Sequence, residues 1–501
     1  MMKKKIVGLI TTLLILIVPV GLAFAVHIIY APTGVMHWDE DLAYNGYNVV
    51  GGNVLDMAGN LLFTRETLGA GVITREGTQV GLQKGKGKGK NRGVSTVVER
   101  DGRNTIWQWV APSNDTHYLH HDFERIWNKK LKRNTVLVVS MHNISEEEAV
   151  AAGSDPDNRG GGSADAIIEI DMSIPQDPDN PTNNIIWQWR FWDHVVQYYK
   201  KDGKLPSGRS TYGNPKNPED DYGRLDLNVD TNTGSGFKND WNHVNGIDYN
   251  AERDEILISC RENSENFVID HSLTTEEAAG PKGDIVYRWS NPYNYTKAEE
   301  DKATLLSNGH QQTFGQHHTQ WIDEGLPGEG EWLTFENGTY RPQFTAHSAI
   351  YQINPYDKDG NYVREKDAGY TDSRGSYGIM SNLITWAWSS SEFDKFNNGF
   401  YSSHGSKAQR LPNGNTLITA QEGGHIIEVT PDKQVAWEFI SPFVRGAGMV
   451  DRLTPELDND VSFTRYPLDH PGLAGRVEKA IESGEIKPVE GTDADAIGGN
   501  Y

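Results

Sequence analysis

The chain has a single cysteine, Cys260, among 501 residues. No intramolecular disulfide can form, so the fold must stand on packing alone. An excess of positive charge is also missing. Against 69 Asp and Glu stand 47 Lys and Arg, a formal net charge of −22 that argues against nucleic acid or an anionic membrane surface as the main partner. The one basic run, "KGKGKGKNR" at 84–92, has the interleaved glycines of a solvated loop and lacks the strand–loop–helix context of a phosphate loop. Paired carboxylates, a Walker motif, GxSxG and HExxH are absent too, which removes the commonest hydrolase and nucleotide signatures.

Long apolar runs are confined to the N-terminus, where three lysines precede an apolar stretch over 6–25, the layout of an export signal. "AFA" at 23–25 offers a cleavage site, whereas continuation through "VHIIY" gives 6–30 the length of a retained membrane anchor. Either fate places the body outside the cytoplasm, in a periplasm, on the cell surface or secreted. Sequons at Asn114, Asn143, Asn294 and Asn337 matter only in a host that glycosylates.

What the chain does have is glycine and aromatics: 52 Gly, and 10% Phe, Trp and Tyr with 14 Trp. That mixture suits short strands and tight turns better than helix bundles. At this length a single domain must be a large repeat array or barrel. A repeat is present. "AIIEIDMS…NNIIWQWR" (166–190), "NFVIDHS…GDIVYRWS" (266–290), "AIYQINPYDKDG…LITWAWSS" (349–390) and "HIIEVTPDKQVAWEFIS" (425–441) each give strand, polar turn, then a strand ending near tryptophan. Segments 94–110 and 52–66 are looser copies. Another strand pair precedes most copies, at 120–140, 243–261, 316–337 and 404–421, with turn chemistry such as "PNGN" and "AERD" between its halves.

Four strands per unit predict an all-β, six-bladed β-propeller. Five units are clear, and the sixth combines 47–66 with a late strand near 460–468, joining the two ends of the chain. The polar insertions at 190–240 and 355–382 read as surface loops. The expected organisation is an export or anchor segment over 1–30, a propeller over 31–470, and a short helix and tail over 471–501.

Histidines recur at one place in this repeat. His120/His121, His243, His317/His318 and His404 open the first strand of their units, which in a propeller lines the central channel. His121 lies five residues before Ile126 and His317 five before Ile322; in the last unit that offset selects Ser406, with His404 two residues early. Arg261 ends the second strand of the unit that His243 begins, so a hairpin returns it to the same end. Glu262 and Glu265 are its candidate partners in a merely structural pairing. Converging imidazoles suit either a metal centre holding iron, copper or zinc or nucleophilic transfer of an anionic group. A guanidinium beside them opposes a divalent metal and favours a tetrahedral oxyanion. A non-catalytic binding propeller is the third reading.

"WNHVNGIDYNAERDEILISCRENSENFVIDHS", "FGQHHTQWIDEGLP" and "AQRLPNGNTLITAQEGGHIIEVTPDKQVAWEFISP" resemble the bacterial and archaeal arylsulfate sulfotransferases, over about residues 100–470. The distinctive part is H-x-N followed 18 residues later by S-x-R, then Q-H. The resemblance implies a six-bladed propeller that moves a sulfuryl group from an aryl sulfate donor to a phenolic acceptor through a histidine. It implies no nucleotide sulfate donor, no cofactor and no metal. Residue by residue it makes His317 the nucleophile and His243, Arg261 and His121 further catalytic residues, with Asn245, His318, Ser406 and His404 as substrate-binding candidates. The doublets His120/His121 and His317/His318 leave each register open by one residue.

Overall fold

The computed structural model describes residues 33–482 apart from 51, 65–70, 85–93, 113–117, 155–160, 197–220, 228–229, 233, 296–308, 342–346, 373–378, 390–399, 445–447 and 450–462. The N-terminal apolar run, most of the basic run and the sequon at Asn114 lie outside the described residues.

Six antiparallel blades form the ring. Blade one pairs Phe463–Pro467, Gly46–Val50, Asn53–Leu55 and Leu61–Thr64 in that order. Blade two is Val72–Ile73, Gln79–Lys84, Val94–Asp101 and Asn104–Val110. Blade three is Tyr118–Asn128, Arg133–Ile144, Gly162–Asp171 and Ile185–Arg190. One bridge, Val94 to Leu119, links blades two and three. Blade four contains Val244–Asn250, Glu255–Cys260, Glu265–Asp270 and Tyr287–Trp289. Blade five contains His317–Trp321, Trp332–Glu336, Ala349–Ile353 and Ile384–Ser389. Blade six runs Lys407–Arg410, Thr416–Ala420, His425–Val429 and Val435–Ile440, with Gly34–Trp38 added outside. This is the six-bladed propeller that the repeat predicts, and among the described residues its α-helices are short: Glu146–Ala152, Thr275–Ala278, Glu365–Ala368 and Ala474–Glu482.

The recurrent tryptophan is the outer clamp of five of the six blades. Trp109, Trp189, Trp289, Trp388 and Trp437 lie in the outermost repeat strand of blades two to six, all buried. Each removes about 150–250 Å² from water, worth roughly 4 kcal/mol or more before conformational entropy is subtracted.

Closure joins chain ends that are remote in sequence. Gly46 pairs with Pro467 and Val50 with Phe463. The buried Arg465 guanidinium binds the buried carboxylate of Glu428, donates to Asn48 Oδ1 at 2.7 Å and lies 4.6 Å over the Trp437 ring. Aspartates stitch neighbouring inner strands together. Asp122 Oδ2 accepts the Ile247 N–H at 3.1 Å, and Asp248 Oδ2 accepts the Trp321 N–H at 2.6 Å. Burial pushes the Asp122 carboxyl up to about 6 and Asp248 well above its usual range, the latter helped by the Asp323 charge.

The two long insertions are more than surface loops. Leu225, Leu227 and Phe237 from 190–240, with Trp241 just after it, join the core between blades three and four, because these few apolar groups find a seam to fill in an otherwise polar segment. From 355–382, the buried Glu365 carboxylate accepts the Ser290 N–H at 3.0 Å. Asn294 and Asn337 are buried and hydrogen-bonded, which closes those sequons to a glycan, while Asn143 is exposed. Among the described residues no helix is long and apolar enough to cross a membrane.

Candidate functional site

Four inner strands begin at the same end of the ring, and the histidines sit at those beginnings. His121 lies near the start of Tyr118–Asn128, His243 just precedes Val244–Asn250, and His317 opens His317–Trp321. His404 stands three residues ahead of Lys407–Arg410, on a turn. The backbone is left-handed at His121 (φ 56°), His243 (φ 49°), His318 (φ 48°) and Ser406 (φ 85°). Such angles strain a residue with a Cβ and persist where the surroundings enforce them. The strand registers of blades three, four and five break at these points, and such bulges re-aim side chains.

The imidazoles converge. The His121 and His243 rings are 4.5 Å apart and meet edge to face. Burial holds His121 well below its usual pKa, and the charges of His120, His243, His317 and Arg261 push the same way. Burial likewise lowers His317 to about 3, against the Asn337 hydrogen bond, with Arg261, His243 and His404 adding to the effect. His121, His243, His317 and Arg261 are thus drawn together, with His404 reaching His317 alone.

Partners decide which ring nitrogen is available. His317 is buried and its Nδ1 lies 2.9 Å from Asn337 Oδ1. The Asn337 amide nitrogen donates to the Ser402 and Gly405 carbonyls at 2.9 and 3.1 Å, so its oxygen must face the ring. The proton therefore sits on His317 Nδ1, and Nε2 carries the lone pair. His243 Nδ1 donates to Asp240 Oδ2 at 2.6 Å, which leaves its Nε2 as the nitrogen that can exchange a proton with a ligand. Asp240 is half-buried, and its partial desolvation alone would raise it, yet the His243 bond and nearby cations keep it ionised below its usual range.

Arg261 has the pairing that a structural role would give it and more. Its Nη1 binds Glu262 at 2.6 Å, its Nη2 donates to Tyr340 Oη at 2.7 Å, and the guanidinium lies 5.0 Å from the Tyr340 ring centre. Of the two candidate partners only Glu262 takes it, because Glu265 is engaged by the buried Arg288.

Not every candidate joins the cluster. His318 is lowered to about 3 by burial and by Lys407, without the Arg261 and His243 charges that act on His317. The left-handed backbone at His318 and the break in register between His317 and Thr319 separate the doublet. Asn245 spends an N–H on the Gln316 carbonyl at 2.8 Å, bracing the residue before His317, and its buried Oδ1 has no hydrogen-bond partner. Ser406 closes a turn: its Oγ accepts the Gln421 N–H at 3.0 Å, and its own N–H donates to Gln421 Oε1 at 2.9 Å. His404 is exposed and pairs with Glu422 at 2.8 Å. Among the described residues no three His, Cys, Asp or Glu side chains form a group that would hold a metal ion.

Sequence reasoning missed Asn337, Asp240, Tyr340 and Asp165. For Asn337 the signal existed. It directly follows the second strand of blade five, as Arg261 follows that of blade four and Gln421 that of blade six. The hairpin rule that selects Arg261 selects Asn337 as well.

The chain's relatives are distant. No curated protein matches it. Among solved structures, a protein of unknown function from Bacteroides caccae aligns at 10% identity over 81% of this chain and 97% of its own, with a TM-score of 0.36. The periplasmic gluconolactonase of Pseudomonas aeruginosa aligns at 12% identity over 85% and 100%, with a TM-score of 0.34. AztD from Citrobacter koseri aligns at 9% over 84% and 99%, with a TM-score of 0.30. At these scores the likenesses carry no weight for the site. The family model described as arylsulfotransferase (ASST) matches residues 129–424, more than half of the chain, and spans His243, Arg261, His317 and Asn337. Aryl sulfotransferase activity is the general chemistry of that family, and the chain belongs to it.

Proposed function

We propose that the protein moves a sulfuryl group from an aryl sulfate ester to a phenol in two displacements through His317, without a nucleotide sulfate donor. The observation that carries this reading is His317 itself. It is neutral, tied through Nδ1 to Asn337, with a bare Nε2 and the Arg261 guanidinium within electrostatic reach. In the first displacement His317 Nε2 attacks sulfur, the aryl S–O bond breaks, and the phenolate leaves with the bonding pair. His243, entering this step as an imidazolium whose Nδ1–H is held by ionised Asp240, gives that phenolate its Nε2 proton and is left neutral. Arg261 and His121 bind the sulfuryl oxygens, and Asn245 braces Gln316 beside the nucleophile. In the second displacement His243 takes the proton of the incoming phenol, whose oxygen attacks sulfur as the N–S bond breaks.

The test is incubation with a chromogenic aryl sulfate, with and without a second phenol. A stoichiometric burst of phenolate without acceptor, turnover with it, and a sulfuryl-sized mass gain on the His317 peptide are expected. Turnover that requires both substrates bound together, with no burst and no modified peptide, overturns the two-step reading.

A further inference from the structure

His120 has no part in the chemistry above, yet both of its ring nitrogens are engaged. Its Nε2 lies 3.0 Å from Asp165 Oδ1, and its Nδ1 lies 2.7 Å from His121 Nδ1. Both His120 and Asp165 are buried. The other oxygen of Asp165 accepts the Val244 N–H at 2.6 Å. Tyr118 stacks on the far side of His120, with ring centres 6.2 Å apart.

Two nitrogens at 2.7 Å need one proton between them. Asp165 accepts at both oxygens, so the proton of the Nε2···Oδ1 bond belongs to His120. If the shared Nδ1 proton belonged to His121, that ring would turn a bare Nε2 lone pair toward an anionic substrate. If it belongs to His120, that ring is an imidazolium paired with Asp165, and His121 carries its proton on Nε2. Charge favours the second arrangement. Asp165 and Asp240 both act on His120, whereas His121 is crowded by Arg261, His243 and His317.

We propose that Asp165 and His120 are positioning residues that fix His121 as an Nε2–H donor to the sulfuryl oxygens, with the cation held one ring away. The proposal rests on the sulfuryl-transfer reading for its purpose, though not for its proton placement. A neutral donor polarised by a cation behind it gives a strong hydrogen bond. It also has no labile charge of its own to lose to a departing phenolate. The carboxylate–imidazole pair fixes the tautomer of the ring in front, as it does behind metal-bound histidines.

The first measurement is nitrogen NMR on the wild-type chain carrying ¹⁵N-histidine, with signals assigned by the variants below. His120 is expected protonated on both nitrogens and His121 on Nε2 alone. A bare Nε2 on His121 overturns the proposal whatever the activity. The second measurement is kcat/KM with a chromogenic aryl sulfate. His120→Leu is expected to lose on the order of 10²-fold, as removal of one oxyanion stabiliser does. His120→Asn, whose amide still donates toward His121, is expected to stay within about tenfold of wild type. Equal losses in the two variants overturn the proposal. Absence of any transfer in the wild type, with the nitrogen signals as stated, overturns the sulfuryl reading and leaves the proton placement standing.

Discussion

Asn337→Leu separates the tautomer of His317 from its mere presence. In the native site the ring donates its Nδ1–H to Asn337 Oδ1 at 2.9 Å, while the amide donates to Ser402 and Gly405. Leucine removes the acceptor and both donors. A buried N–H left without a partner costs about 1–3 kcal/mol. The ring escapes that cost by moving its proton to Nε2, the atom that must attack sulfur. At about 1.4 kcal/mol per factor of ten, the competent tautomer falls roughly 10- to 100-fold, and kcat/KM should fall with it. The two orphaned carbonyls add a separate loss of stability on the order of 1–3 kcal/mol each. The assay is initial-rate kcat/KM well below the melting transition, normalised to folded protein by circular dichroism. Asn337→Asp keeps an acceptor for Nδ1 and is expected to recover most of the rate at alkaline pH, where the imidazole beside a carboxylate is neutral. If Asn337→Leu transfers within about twofold of wild type per folded molecule, the tautomer reasoning is wrong.

His317→Ala is expected to abolish transfer in the same assay, and Arg261→Leu to lower kcat/KM by about 10²–10³-fold; full activity in either variant would remove that residue from the chemistry. Stability should fall as pH rises from about 6.5 to about 9. Burial alone would disfavour a charged His271, but its bonds to Asp254 and Glu169 at 2.7 and 3.1 Å outweigh that and push it up to about 9. A raised folded-state pKa gives stability that is fully present below the unfolded value and lost as pH passes the folded one. The rise corresponds to about 3 kcal/mol, and urea midpoints that stay flat over this range, or slope equally in His271→Met, would refute it. The N-terminal run is expected to carry the protein out of the cytoplasm of its native host; recovery of the full-length chain in the soluble cytoplasmic fraction would sink that expectation.

By itself the sequence determined the propeller, because a blade is a local object: four strands in chain order, turn residues between them, and a Trp to clamp the outer strand. It also indicated how the ring closes, since blade one lacked an inner strand and residues 460–468 were left over. The common end of the histidines and Arg261 followed from the same counting, because a hairpin returns its second strand to where the first began. What only the tertiary structure decided is the partner that each ring nitrogen meets. His317 and His318 are adjacent and chemically identical on paper. A left-handed residue at His318 and a break in strand register leave His317 among Arg261, His243 and Asn337, and His318 beside Lys407. Asp165 reaches His120 from 45 residues away, and Asp240 reaches His243 across three residues only because both bend into the left-handed region. No period in the chain encodes such pairings, since a hydrogen bond depends on where two side chains point. That direction is set by the packing of whole blades against one another. The insertions taught the same lesson. Their polar composition hid Leu227 and Phe237, which are buried because the seam between two blades is there to receive them.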